Sequence, residues 1–324
     1  MPSRATLEKL QVAIYLVAIG VGAAIGRSWP AAGATFEAAL WPVLALLLYA
    51  TFVQVPLLHL RNAFADRRFV AAVVVGNFVL VPLVAAAAVH ALPPDPALRL
   101  GVLLVLLVPC TDWFVTFCAL GGGNLPRAIA VTPLNLLLQL LLLPAYLWAL
   151  ATPADGADSL AALTPAVLAP ALAIVLAPLA AAAFSERWIE RAPAREVWRE
   201  RLAWSAVPLL ALVVLLIAGA QVGALVALLP RFAGVVPLFV AYLLAAAVLA
   251  WALAKALRLG ADQARTLAYS LGTRNSFLVL PLALALPAGW ELAAMVIVVQ
   301  SLVELFGMLA YLAWLPRLFP LPAR

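Results

Sequence analysis

The chain has 324 residues, of which 67% are hydrophobic and 10% are charged, and its formal net charge at pH 7 is +6. So few polar residues cannot cover the surface of a soluble domain, which excludes that class and predicts a polytopic membrane protein. We interpret the basic excess as a signal of membrane orientation and expect no nucleic-acid partner.

Ten apolar segments are long enough to cross about 30 Å of hydrocarbon as α-helices. In chain order they lie at about 9–26, 36–58, 69–91, 97–120, 127–150, 160–184, 202–223, 233–256, 264–286 and 290–315. We therefore predict an all-α fold of ten spans, with the whole chain, residues 1–324, forming a single membrane domain.

The basic residues between these segments predict the orientation in the membrane. Sixteen of the 20 Lys and Arg residues, Arg265 among them, fall at the chain ends or around the even-numbered connections, and three fall on the other side. Cytoplasmic loops of membrane proteins carry such an excess. We expect a multi-pass protein of the cell membrane, plasma or inner, with both termini in the cytoplasm.

The chain divides into two halves of five spans, approximately residues 1–150 and 160–324, separated by a short acidic stretch. Because five is odd, the second half enters the membrane from the opposite side, which is the inverted repeat of secondary transporters. Asn135 and Gln139 in span 5 have the same four-residue spacing as Gln300 and Glu304 in span 10, at an offset of 165. The repeat predicts one transporter domain.

Spans 4 and 9 are the candidates for broken helices that cross each other. Asp95 and Asp262 are placed as N-caps that open the two spans. About a dozen residues later come Pro109 and Gly272-Thr273, which permit or impose irregular backbone. Unpaired backbone at membrane depth is tolerated around a protein-lined cavity, so we expect the substrate there.

Three ionisable side chains lie deep inside apolar runs: Asp112 in span 4, Arg274 in span 9 and Glu304 in span 10. Charges at these depths are costly and mark functional sites by default. One hypothesis pairs Asp112 with Arg274 as a structural ion pair; the other gives both a role in substrate binding. Glu304 then has no obvious basic partner, and we expect it to couple transport to protons.

Other polar residues have a functional and a structural interpretation. Cys110 is either a substrate ligand or a small buried hydrophobe. The supporting polar residues could serve only in hydrogen bonds between helices; they are Asn77, Asn135, Gln139, Thr273, Ser276 and Gln300. His59 and His90 have no second ligand at metal spacing, so we expect no resident metal and no cofactor.

Four motifs carry a resemblance to a known family over essentially the whole chain. These are ALPPDPALRLG, VLLVPCTDWFVTF, SLGTRNSFLVLPLALAL and LVELFGMLAYLAWLPRLF. In this order they resemble the Acr3-type arsenite exporters, arsenic resistance proteins of the bile acid/sodium symporter superfamily. The resemblance implies a ten-span carrier with an inverted repeat and crossed, broken spans 4 and 9. It also implies that Cys110, in the signature Pro109-Cys110-Thr111, binds trivalent arsenic, and that Glu304 is the span 10 glutamate.

Two departures from the family pattern bear on substrate and coupling. Asp112 and Trp113 stand where typical members have small and apolar residues, which affects substrate preference. Residues 272–277 lack the carboxylate and glutamine of sodium-coupled members, which favours protons as the coupling ion. The residues expected at the substrate are Cys110, Thr111, Asp112, Trp113, Arg274 and Asn275.

We therefore predict a transporter and not an enzyme, because no hydrolase motif is recognisable. The preferred function is export of trivalent arsenic, arsenite or also antimonite, by proton antiport, with arsenic(III) at Cys110 as substrate. The alternative is a sodium- or proton-coupled symporter of a small organic anion. The expected partners are this small-molecule or metalloid substrate, protons and the lipid bilayer; the sequence does not specify an oligomeric state.

Overall fold

The computed structural model describes residues 4–57, 66–111, 113–150, 165–220 and 222–321. These residues form α-helices, with one isolated β-bridge between Pro109 and Arg274. The α-helices are α1 Arg4–Ser28, α2 Ala32–Phe52, α3 Arg67–Val75, α4 Val81–His90, α5 Pro96–Leu106, α6 Trp113–Leu120, α7 Leu125–Leu150, α8 Pro165–Glu190, α9 Glu196–Ala220, α10 Val222–Ala256, α11 Ala261–Gly272, α12 Ser276–Leu284 and α13 Glu291–Leu318. A π-helical segment, Gly76–Leu80, joins α3 to α4, and a 3-10 turn, Pro193–Arg195, precedes α9.

The helices confirm an all-α polytopic membrane protein. Each of the ten apolar segments coincides with one helix or with an interrupted pair. Within the described residues, six helical stretches are long and apolar enough to cross a membrane. They are Ala32–Phe52, Arg67–His90, Leu125–Leu150, Pro193–Ala220, Gly234–Ala256 and Glu291–Leu318. The cytoplasmic placement of the termini stays a prediction.

The chain folds into two compact units, and each unit draws on both halves of the sequence. The first unit comprises Met1–Gln54 and Pro165–Phe232, and the second comprises Val55–Thr164 and Ala233–Arg324. The predicted division into inverted repeats follows the order of the chain and stays a prediction. All the side chains of the candidate site belong to the second unit.

In the first unit, glycines bring α1 and α9 into backbone contact. A Cβ at Gly22 would collide with the carbonyl of Leu215, and a Cβ at Gly26 would collide with that of Gly219. Glycines four residues apart are the pattern that lets membrane helices approach this closely. Lipid gives helices no hydrophobic reason to associate, so this packing holds the pair together.

In the second unit, two interrupted helices form the centre of the fold. The pair α5 and α6 is interrupted around Pro109, and the pair α11 and α12 is interrupted at residues 273–275. Asp95 caps α5 as predicted, because its Oδ1 accepts from the N–H of Leu98 at 3.1 Å. Asn275 caps α12, and its Oδ1 accepts from Leu278 N–H at 3.1 Å. These interruptions confirm that both predicted helices are broken.

The predicted start of α11 is wrong at Asp262. The N-cap is Gly260, whose N–H donates to Gln263 Oε1 at 3.2 Å, and Asp262 lies within the first turn. Its carboxylate accepts from Asn124 Nδ2 at 2.7 Å and so ties α11 to the start of α7. The negative charge of Asp262 in the first turn also interacts favourably with the helix dipole.

Arg265, counted from the sequence with the cytoplasmic basic residues, is instead buried inside α11, with 6% of its surface exposed. Its guanidinium donates to the carbonyls of Gly121 at 3.2 Å and Phe319 at 2.9 Å. These carbonyls lie just past the carboxyl ends of α6 and α13, where helices have unpaired acceptors. Burial of the charge is therefore compensated by helix ends.

Asp66 joins the starts of three helices of the second unit. Its carboxylate accepts from the N–H groups of Arg68 and Phe69, from Gln263 Nε2 at 2.8 Å and from Arg127 Nη1 at 2.9 Å. Burial opposes ionisation of Asp66, but these hydrogen bonds and the Arg127 charge outweigh it and lower its pKa below the usual 3.8.

We expect this carboxylate to make stability depend on acid pH. A lowered pKa in the folded state gives a contribution that is complete above 3.8 and is lost as the pH falls through the folded value. Asp66→Asn, which keeps an oxygen for the cap, should lower the Tm of purified protein at pH 7. The two proteins should converge as the pH falls below the folded pKa of Asp66, where the carboxylate is neutral. Equal Tm values at pH 7 would contradict this account.

Candidate functional site

The two interruptions meet and pair with each other. Cys110 N–H donates to the carbonyl of Thr273 at 3.1 Å, and Asn275 N–H donates to the carbonyl of Val108 at 2.8 Å. The two donors are 165 residues apart, and so are the two acceptors. Backbone groups inside a bilayer need protein partners. The exchange provides them, and it confirms that the two broken helices cross.

Arg274 lies at this crossing, with 2% of its surface exposed, and its guanidinium binds the ends of two helices. It donates to the carbonyls of Leu106 at 3.3 Å, Ser270 at 2.7 Å and Leu271 at 2.9 Å. Leu106 ends α5, and the other two lie in the last turn of α11. Helix carboxyl ends carry partial negative charge and unpaired carbonyls. The guanidinium compensates both.

Two more side chains complete the surroundings of Arg274. Asn77, in the π-helical segment, accepts from Arg274 Nη2 at 2.7 Å and donates to Ser270 Oγ at 3.0 Å. The ring of Tyr242 lies 5.7 Å from the guanidinium carbon, and its hydroxyl donates to the carbonyl of Leu271. Local π-helix is frequent at functional sites, and here it presents Asn77 to the crossing.

Glu304 on α13 binds the main chain of the second interruption. Its Oε2 accepts from Arg274 N–H at 2.7 Å and from Gln300 Nε2 at 2.7 Å. Gln300 in turn accepts from Ser276 Oγ at 2.9 Å. Glu304 is 2% exposed. The carboxylate therefore supplies the acceptor that Arg274 N–H lacks outside a helix.

The Pro-Cys-Thr motif lies in the first interruption and is buried. Cys110 is 3% exposed and Thr111 is 2% exposed. Thr111 Oγ1 accepts a long hydrogen bond, 3.4 Å, from Asn275 Nδ2. The ring of Trp113 packs edge-on against Phe277 with 5.6 Å between the centroids, so the starts of α6 and α12 are in contact. Thr273 Oγ1 donates to the Tyr269 carbonyl in its own helix.

Asp112 lies outside the described residues, so its pairing with Arg274 stays a prediction. None of the four oxygens that accept from the Arg274 side chain belongs to a carboxylate. Its Nε has no hydrogen-bond partner among the described residues. Three carbonyls and one amide oxygen therefore stabilise this buried charge within the described part of the chain.

The structural interpretation of Asn135 and Gln139, hydrogen bonding between helices, is not observed among the described residues. Both are buried on α7, and neither the oxygen nor the nitrogen of either amide has a hydrogen-bond partner. Asn77 and Gln300, predicted in the same way, do bind other helices.

Sequence reasoning missed Tyr242, Ser270 and the carbonyl of Leu106. Tyr242 stands in an apolar run where an aromatic residue is ordinary, and Ser270 has no distinctive spacing. A carbonyl leaves no trace in the sequence. The signal that was available is the buried arginine itself, because an intramembrane cation requires several oxygen partners.

These contacts place the Arg274 guanidinium, the Glu304 carboxyl group and the main chain of Cys110 around one crossing. The carboxyl group of Glu304 can gain or lose a proton while it holds Arg274 N–H. The thiol of Cys110 is the soft ligand of the region. In the described residues there is no cluster of three or more His, Cys, Asp and Glu side chains that could hold a metal ion.

Comparison with known proteins gives one family. Residues 41–228, more than half of the chain, match the Sodium Bile acid symporter family. The match includes the first interrupted helix with Cys110, and it ends before Arg274 and Glu304. No curated protein matches the chain.

We expect Arg274→Met to destabilise the second unit. Methionine fills similar space but leaves the Asn77 oxygen and the carbonyls of Leu106 and Ser270 without the donor that Arg274 supplies, and each unpaired buried group costs about 1–3 kcal/mol. The Tm of the purified protein should fall by several degrees. Arg274→Lys should recover part of the loss, because an ammonium group restores the positive charge and some of the donors. An unchanged Tm in the methionine variant would show that water replaces the guanidinium.

Proposed function

The chain belongs to the sodium bile acid symporter family, whose members are membrane transporters and not enzymes, and we propose that it exports trivalent arsenic in exchange for protons. The observation that carries the proposal is Cys110 in a Pro-Cys-Thr motif at the crossing of two broken helices. In carriers of this architecture, substrates bind where interrupted helices line a cavity.

The chemistry of the substrate suits a thiol. Arsenite at neutral pH is an uncharged trihydroxide around a soft centre, and thiolate is the preferred soft ligand in proteins. The sulfur of Cys110 forms one bond to arsenic, one hydroxyl leaves, and the thiol proton converts it to water. No redox change occurs. Because only one sulfur binds, the reverse reaction with water releases the substrate.

The surroundings of Glu304 favour protons as the coupling ion. Its ionised carboxylate holds Arg274 N–H, and protonation weakens a hydrogen-bond acceptor. A proton arriving at Glu304 therefore loosens the second interruption, and its departure restores the bond. Proton occupancy and substrate occupancy would alternate as the carrier changes the side to which it opens.

The position of Arg274 disfavours the binding of a sodium ion at the crossing. Unwound carbonyls and the carboxyl ends of half-helices coordinate sodium or protons in many carriers. Here Leu106, Ser270 and Leu271 supply such carbonyls, and the guanidinium already binds them. A positive charge built into the chain takes the place of a bound metal cation.

A small organic anion is the second candidate substrate, and the family description and Arg274 favour it. A buried guanidinium is a natural partner for a carboxylate. However, its described hydrogen bonds already engage both terminal nitrogens. Among the described residues only Nε and one N–H of Nη1 are left for an incoming anion, so we place this candidate second.

Cys110→Ser should abolish arsenite export. In cells without exporters of their own, the native chain should lower arsenite accumulation several-fold, and the serine variant should not, because a hard hydroxyl is a poor arsenic ligand. Cys118→Ser is the matched control, since Cys118 is also buried and bonds Thr266 Oγ1 at 3.3 Å. Loss only at position 110 supports capture by the thiol.

The same assay separates the two candidate substrates. Export that survives in Cys110→Ser at matched protein levels would contradict a thiol site. No export by abundant, folded native chain would favour the organic anion, for which Arg274→Ala should lose transport and Cys110→Ala should retain it.

Glu304→Gln should separate binding from coupling. Glutamine keeps an oxygen for Arg274 N–H but cannot exchange a proton in the physiological range. In everted vesicles with an acidic interior, arsenite uptake driven by the gradient should fall at least tenfold while arsenite binding to purified protein persists. Glu291→Gln, an exposed position on the same helix, should transport as the native chain does. Gradient-driven uptake by the Glu304 variant would exclude the coupling role.

A further inference from the structure

Asn135 and Gln139 are a buried polar pair with no hydrogen-bond partner in the part of the chain that the structure describes. They lie one turn apart on α7, are 0% and 1% exposed, and leave four polar atoms without a hydrogen bond. An unpaired buried group costs about 1–3 kcal/mol, and native proteins contain few of them. Two amide groups on one helix face, each with both polar atoms unpaired, therefore indicate a binding site for a polar ligand.

The second half of the chain shows the same arrangement with its partners in place. Gln300 and Glu304 lie 165 residues after Asn135 and Gln139 and have the same spacing. Gln300 accepts from Ser276 Oγ, and Glu304 accepts from Arg274 N–H. The 165-residue offset also relates the two main-chain hydrogen bonds of the crossing.

The offset explains why the first half lacks these partners. The residue 165 positions before Arg274 is Pro109, which has no N–H to donate. The counterpart of Ser276 is Thr111, whose Oγ1 accepts from Asn275 Nδ2. Pro109 therefore cannot supply the main-chain donor that Arg274 supplies to Glu304. α7 packs against both α5 and α6, which flank that interruption and Cys110.

We propose that Asn135 and Gln139 bind the hydroxyl groups of an uncharged, hydroxylated substrate. An anion would use only the amide nitrogens and a cation only the oxygens, whereas hydroxyls both donate and accept. This inference rests on the proposed function. When Cys110 captures arsenous acid, one hydroxyl leaves as water and two remain bound to arsenic. Two amides match these two hydroxyls.

The amide site would also decide which substrates are carried. A thiol alone reacts with many soft electrophiles. In the proposed site, the two buried amides favour the electrophiles that retain hydroxyls, because a ligand without hydroxyls leaves the polar atoms unpaired. An arsenical in which methyl groups replace hydroxyls should therefore be exported less well than arsenite.

The test replaces each amide by an apolar side chain of similar size, Asn135→Leu and Gln139→Leu. Removing an unpaired buried polar group should leave the Tm unchanged or raise it. Arsenite export should nevertheless fall at least tenfold, and the arsenite concentration for half-maximal transport should rise. Thr132→Val is the matched control, because Thr132 is buried on the same helix and bonds only its own turn, at the Ala128 carbonyl.

The outcomes are distinguishable. Folded leucine variants that export as the native chain does would show that the amides hold buried water only, and would overturn the site while leaving arsenite export intact. A native chain that does not export arsenite would overturn both proposals. Should a leucine variant not fold, Gln139→Met, unbranched like glutamine, decides by the same two readouts. Lost export with retained Tm and an unaffected Thr132→Val supports the site.

Discussion

Backbone groups that leave a helix inside a bilayer must find partners in the protein, because lipid offers none. The second unit meets this constraint by placing its two interruptions against each other. Val108, Cys110, Thr273 and Asn275 exchange two main-chain hydrogen bonds, and no side chain is needed for that pairing. The position of every other polar group at the crossing follows from what this exchange leaves unsatisfied.

The charges are the clearest consequence. Two helices end at the crossing with free carbonyls, and Arg274 compensates them from within the chain. The main-chain N–H of Arg274 takes no part in that pairing, and it donates to the Glu304 carboxylate. Arg274 thus binds two helix ends through its guanidinium and the Glu304 carboxylate through its N–H. The two side chains do not form a direct ion pair. Charge that would be costly in lipid becomes part of the backbone pairing.

Sequence alone located most of the site because membrane helices make polar residues conspicuous. Cys110, Arg274 and Glu304 stand out in apolar runs, and Pro109 and Gly272 predict the interruptions. The arrangement around them was harder to foresee, since carbonyls and a π-helical segment leave no side-chain signature. The start of α11 was misplaced because several polar residues there can cap a helix. Arg265 looked like a loop residue because its partners are carbonyls distant in sequence.

The crossing joins two related but chemically unequal strands of backbone. Pro109 faces Arg274 across the bridge, so one strand contributes a residue without a donor and the other a residue with a cation. Two copies of the first half, assembled as a symmetric dimer, would lack any cation for the helix ends. Two copies of the second would place two guanidinium groups at one axis. The crossing therefore depends on both halves of the chain, because each contributes what the other lacks there.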